Sequence, residues 1–156
     1  MPARVRSLIA ALLLGFGVCL SAFAQHAQTA KKVRPQQTVT ADDGLSVIAA
    51  ALDPKVRRHA GQDCSHLVHA IYEKAGFPYS YANSDDLYDG VDGFVRVSYP
   101  QPGDVIVWHG HAGIVVRPSR HVFFSFMRSG PGISDYESRY WTARGKPRFY
   151  RYIKNG

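Results

Sequence analysis

Cysteine is almost missing from this chain: among 156 residues only Cys19 and Cys64 occur. Cys19 lies inside an apolar N-terminal stretch that reads as a removable leader, so the remainder cannot close an internal disulfide. Beyond Leu20 no apolar run approaches the roughly 20 residues that a membrane helix needs. No internal repeat is present, and no second cysteine supports a zinc-type ligand set. These absences exclude a disulfide-stapled scaffold, a multi-span membrane protein and a repeat array. They leave one thiol, Cys64, in the string GQDCSHLVHAIYEKAGF. A lone thiol in an exported protein is open to oxidation. It is either a small buried hydrophobe or a nucleophile.

Residues 1–24 have the form of a secretory signal. Arg4 and Arg6 supply the positive end, LIAALLLGFGVCL the apolar stretch, and Ala22-Phe23-Ala24 a small-x-small cleavage site. Residues 25–41 (QHAQTAKKVRPQQTVTA) are polar and without aromatic residues, and they read as a flexible tether. Residues 42–156 are enough for a single core. With Arg4 and Arg6 removed, 17 lysines and arginines face 12 acids, and the formal charge falls from +7 to +5. That balance favours anionic partners such as cell-wall polymer. Arg144, Lys146, Arg148, Arg151 and Lys154 interleave with Phe149, Tyr150 and Tyr152. This pattern is read as a closing strand with solvated cations and not as a nucleic-acid surface.

The order of elements is helices first, strands afterwards. Gly44–Asp53 forms a short helix stopped by Pro54. Cys64–Ala75 is better marked, with Asp63 as N-cap, an apolar stripe of Leu67, Val68, Ile71 and Ala75, and Gly76 as the stop. Residues 76–102 read as one long loop, whose acids (Asp85, Asp86, Asp89, Asp92) lack calcium-loop spacing and form a rim that could face a substrate amine. Asp104–His109, His111–Val116, His121–Met127 and Arg148–Ile153 are strand-like. The expected fold is α+β, with helices packed on a small antiparallel sheet of four to five strands.

The first turn of a helix places Cys64 beside unpaired amides and the positive end of the dipole. That effect is about 0.3–1 kcal/mol and at most ~2, against about 1.4 kcal/mol per pKa unit. Asp63 opposes it. A histidine must therefore activate the thiol. His66 and His69 project off the side of the same helix, and His59 lies in an unpatterned stretch. His109 and His111 flank Gly110, where a strand end can meet the helix tip. A hairpin symmetric about Pro118 sets Ser125 opposite His111 as an orienting partner and leaves His121 ~13 Å away, at ~3.3 Å per residue. An odd-numbered loop is required; an even one would put Phe126 there instead. A metal site built from Cys64, His66, His69, His109 and His111 has no spacing signature, so no metal and no cofactor is expected.

DCSHLV at a helix start, followed about 40 residues later by QPGDVIVWHGHAGIVV, resembles the NlpC family of cell-wall cysteine peptidases. The resemblance runs from Gly61 to the C-terminus and extends to the related CHAP amidases through Gly110-His111. It implies a papain-like fold, with Cys64 as nucleophile and His111 as base. Ser125 takes the third polar position, where the family commonly has His, Asn or Gln. It puts Asp63 and Ser65 beside the substrate. KVRRHAGQ replaces the family's Tyr-containing, Gly-rich segment ahead of the cysteine, and His66 replaces a small residue. The implied activity is hydrolysis of amide bonds in peptidoglycan stem peptides by a secreted or periplasmic monomer. A degenerate wall-binding module and an acyltransferase on the same scaffold are the alternatives.

Overall fold

The computed structural model describes residues 36–59 and 63–154. The leader read over residues 1–24 and most of the tether lie outside the described residues. The tether's end does not: Thr38 bridges Ile153, the Val39 N–H bonds the Tyr152 carbonyl at 3.0 Å, and Val39 is buried. The folded unit therefore starts before Asp42. An apolar valine in a polar stretch has found a strand end to cover.

Helix α1 (Ala41–Leu52) begins in a reciprocal cap. Thr40 Oγ1 accepts from Asp43 N, and Asp43 Oδ2 accepts from Thr40 N at 2.7 Å. Its buried face is Gly44, Val47, Ala50 and Ala51. Gly44 is there for closeness: a Cβ would lie 1.9 Å from the Pro102 carbonyl oxygen. α2 is Pro54–His59. α3 (Cys64–Lys74) starts where Asp63 caps it and buries Leu67, Val68, Ile71 and Tyr72, all but excluded from solvent. Each such side chain contributes about 1.5–3 kcal/mol of transfer free energy. The Tyr72 hydroxyl donates to the Gly103 carbonyl at 2.6 Å, tying α3 to the turn ahead of the central strands.

Six strands form one antiparallel sheet in the order β1-β6-β2-β3-β4-β5, one or two more than expected. They are β1 (Phe94–Val97), β2 (Val105–Trp108), β3 (His111–Arg117), β4 (Val122–Met127), β5 (Gly130–Asp135) and β6 (Arg148–Tyr152). All four residues of β2 are buried because both sheet faces are covered. Val105 and Val107 meet the helical core, while Ile106 and Trp108 join Phe123, Tyr136 and Trp141 opposite. The long loop read over residues 76–102 is not one loop. It contains β1 and helix α4 (Ser84–Asp89), capped by Asn83 with Asp86. A last short helix, α5 (Arg139–Thr142), precedes β6.

Three cations of the C-terminal basic segment are committed to the fold, among them Lys154, which pairs with Asp43 at 2.5 Å. Arg151 holds Asp104 with two hydrogen bonds, and Arg148 lies 3.8 Å over the Tyr88 ring. No helix among the described residues is long and apolar enough to cross a membrane.

Candidate active site

The cap of α3 spends its charge on backbone. Asp63 Oδ1 accepts from Ser65 N at 2.8 Å, from His66 N at 3.1 Å and from the Ser65 hydroxyl. Burial pushes the Asp63 carboxyl up, but these hydrogen bonds outweigh it and hold it at about 2. Ser65 itself is buried, held between Asp63 and the Tyr81 hydroxyl at 3.0 Å. It therefore lies behind Asp63 and orients it. Asp63 lines a cavity of about 330 Å³ together with Cys64, His111, Phe126, Met127 and Arg128.

Cys64 is half-buried, and its sulfur accepts from the Ala112 N–H at 3.4 Å, a donor on β3 and not on its own helix. Burial pushes the thiol up, the Ala112 amide pulls it down, and the Asp63 charge pushes it up again; the net direction is upward. A helix start alone does not make a resting thiolate here, in line with the small size of the dipole effect.

His111 opens β3 opposite Trp108 and is almost fully buried. Its Nε2 lies 3.0 Å from Ser125 Oγ. The Ser125 hydroxyl has one proton and gives it to the Ala112 carbonyl. Toward the imidazole it can only accept, so Nε2 carries the hydrogen and Nδ1 holds the free lone pair. Ser125, itself fully buried, thus sets the tautomer as well as the ring's orientation. The ring lies 4.6 Å from that of Trp141. Burial pushes His111 down, Arg144 adds to this and Asp63 opposes it, leaving it at about 4. The resting pair is a neutral thiol and a neutral imidazole.

The β3–β4 register differs from the expected one. Ile114 pairs with Phe124 and Val115 with Phe123, with an irregularity before Arg117–Val122. Continuing this ladder sets Ser125 opposite Gly113, two residues along from His111. A slip of two preserves the face, which is why Ser125 still reaches His111 on the diagonal. Gly113 leaves room for that reach: a Cβ there would lie 2.7 Å from the Phe124 carbonyl oxygen and 3.0 Å from Ser125 Cβ.

The other histidines with described side chains, His66, His69, His109 and His121, are engaged elsewhere. His109 Nδ1 meets Asp85 Oδ1 at 3.0 Å, and Asp85 also accepts from Gly110 N. That acid fastens the β2–β3 turn to α4. His121 pairs with Glu137 and packs edge-on against Tyr136. His66 stacks on Tyr81 at 4.4 Å. His69 packs edge-on against Tyr79 and does not face solvent, because residues 77–82 fold back over α3. Among the described residues no three His, Cys, Asp or Glu side chains gather as metal ligands. Four participants had no sequence signal for a place at the cleft: the Ala112 amide, Trp141, Arg128 and Arg144.

No family model matches the chain, and no curated protein matches it. Among solved structures, a Staphylococcus aureus protein described as similar to a lipoprotein of the NLP/P60 family superimposes with a TM-score of 0.58 at 24% identity. The match covers 78% of this chain and 45% of that one, so the chain spans under half of that protein's length. The likeness is one of fold: helices on an antiparallel sheet, α+β, as expected.

Proposed function

We propose that the chain is an exported thiol hydrolase of the NlpC type, cleaving amide bonds in peptidoglycan stem peptides. The observation that carries this reading is the shared cavity of Cys64 and His111, with Nε2–H engaged by Ser125 and Nδ1 free. In the proposed reaction the Cys64 proton passes to His111 Nδ1 as the sulfur adds to the carbonyl carbon. The Cys64 N–H stabilises the oxyanion, since Asp63 already occupies the next two amides of the helix start. The imidazolium then protonates the departing amine, and the C–N bond breaks to leave a thioester on Cys64. Water, deprotonated by His111, hydrolyses the thioester and restores the thiol. Ser125 is a positioning residue throughout.

Every bond to Asp63 falls on Oδ1, which leaves Oδ2 as the acceptor for a substrate amine beside the nucleophile. Export, removal of residues 1–24 and a monomeric, cofactor-free enzyme without a nucleic-acid partner belong to the same reading.

The test is mass analysis of peptidoglycan incubated with the purified chain. The expected result is stem-peptide fragments with a new carboxylate and a new amine, 18 Da heavier in sum than their precursor. With an added amine acceptor, conjugated products would instead mark acyl transfer. Intact stem peptides, with the chain retained on sedimented peptidoglycan, would make it a wall-binding module; the neutral resting pair favours that second reading.

A further inference from the structure

Tyr81 reaches the start of α3 from the segment that folds back over that helix. Its hydroxyl lies 3.0 Å from Ser65 Oγ and 3.2 Å from His66 Nδ1. Both of those atoms also meet Asp63 Oδ1, the serine hydroxyl directly and His66 Nδ1 at 3.2 Å. Asp63, Ser65, Tyr81 and His66 therefore close a circuit of four contacts. The His66 and Tyr81 rings stack, with centroids 4.4 Å and planes 30° apart, which holds the two polar ends of the circuit together.

Counting protons fixes the direction of each bond. Asp63 is ionised and can only accept, so the single Ser65 hydroxyl proton goes to Oδ1. Ser65 Oγ is then the acceptor for the Tyr81 proton. Tyr81 has nothing left to donate, so His66 Nδ1 must carry a hydrogen, shared between Asp63 Oδ1 and the Tyr81 oxygen. The opposite assignment would aim a bare Nδ1 lone pair at a carboxylate. It would also leave the Ser65 and Tyr81 oxygens in contact with no proton between them. Only one arrangement pairs all four contacts, and hydrogen bonds in such a circuit polarise one another.

We infer that Tyr81 is a positioning residue for Asp63: through Ser65 and His66 it fixes the carboxylate with Oδ1 saturated and Oδ2 left for the substrate. The inference rests on the reading of Oδ2 as the acceptor for a substrate amine, and it adds what keeps that oxygen in place. Asp63 adjoins Cys64, and its charge acts on both Cys64 and His111, so a carboxylate that swung would disturb the whole site. Tyr81 is itself anchored on both sides. The Pro78 carbonyl accepts from the Tyr152 hydroxyl at 2.7 Å, and Asn83 caps α4. His66 acquires a role as well: a residue without a side-chain donor there would leave the Tyr81 oxygen one partner short.

Two measurements on the full chain test this. The first is a long-range ¹H–¹⁵N imidazole spectrum of the wild type at about pH 8, above the ordinary imidazole range, with His66→Gln assigning the signal. His66 should show a protonated Nδ1 and a bare Nε2. The second compares Tyr81→Phe with the wild type on stem peptides freed from peptidoglycan, their amino terminus either free or acetylated. Phenylalanine keeps the stack on His66 and, at an exposed position, leaves the core untouched. The wild type should show the lower KM for the free amine. Tyr81→Phe should shrink that preference about fivefold, the effect of losing one hydrogen bond, with kcat changed by less than about twofold. A bare Nδ1 on His66, an amine preference equal in the two chains, or a fall confined to kcat with a lowered melting temperature would each overturn the inference. A chain that shows the protonated Nδ1 but cleaves neither peptide would defeat the hydrolase reading alone.

Discussion

Replacing His111 by alanine should lower stem-peptide cleavage by about 10³-fold or more, with the circular dichroism spectrum unchanged. The size follows from the protonation states at rest. Cys64 is pushed above its ordinary value and His111 below its own, to about 4, so no thiolate–imidazolium pair waits in the free protein. The thiol must lose its proton as the bond to carbon forms, and His111 Nδ1 is the acceptor the structure offers. The pH dependence follows with a definite sign. The base works only when neutral, so the acid limb of kcat/KM in the wild-type chain should fall near pH 4, with no inflection near 6.5. Because the folded-state value lies below the unfolded one, His111 adds stability that is fully present above pH 6.5. It is lost as the pH falls toward 4. A limb near 6.5 would instead mean a solvated imidazole, contrary to its burial among Trp108, Phe123 and Trp141.

Asp104→Asn should cost about 3 kcal/mol of folding free energy, read from the urea midpoint. Asp104 is fully buried and accepts from Arg151 Nε at 3.0 Å, from Arg151 Nη2 at 2.8 Å and from Gln101 N at 2.8 Å. The net worth of a buried ion pair is small, but removing one partner strands the other. The cost of breaking a buried pair is ~3–5 kcal/mol, and the lower end applies because Arg151 keeps 19% of its side chain exposed. The loss would spread, since the Pro102-Gly103 turn next to Asp104 packs against Gly44 and takes the Tyr72 hydroxyl bond. A shift below about 1 kcal/mol would contradict this picture of the turn.

The elements that could be read from sequence were those whose cause is local. Asp63, the stripe of Leu67, Val68 and Ile71, and Gly76 define α3 within fourteen residues, and the apolar run of β2 does the same for the sheet's centre. β1 and β5 could not be read this way. Phe94–Val97 is four residues long, and its pairing partner is β6, more than 50 residues on. Gly130–Asp135 contains Gly-Pro-Gly and is a strand only because β4 supplies a ladder for it. Thr40 is a different case: Thr-x-x-Asp ahead of an apolar run is a local capping signal, and it marks α1 as starting three residues before Gly44.

The site divides the same way. Cys64 at a helix start and His111 at a strand start follow from motif and periodicity. The His111–Ser125 contact depends on register parity, which survives the slip of two. Trp141 reaches the cleft on a four-residue helix, too short for any periodicity, and Arg144 from the turn just past its end, both brought there by the β4–β5 hairpin and the return into β6.

The most direct test of Cys64 as nucleophile is Cys64→Ala, incubated with the same peptidoglycan and analysed by mass beside the wild type. The account predicts no fragments above the uncatalysed background and an unchanged melting temperature. Stem-peptide cleavage retained by Cys64→Ala would contradict it.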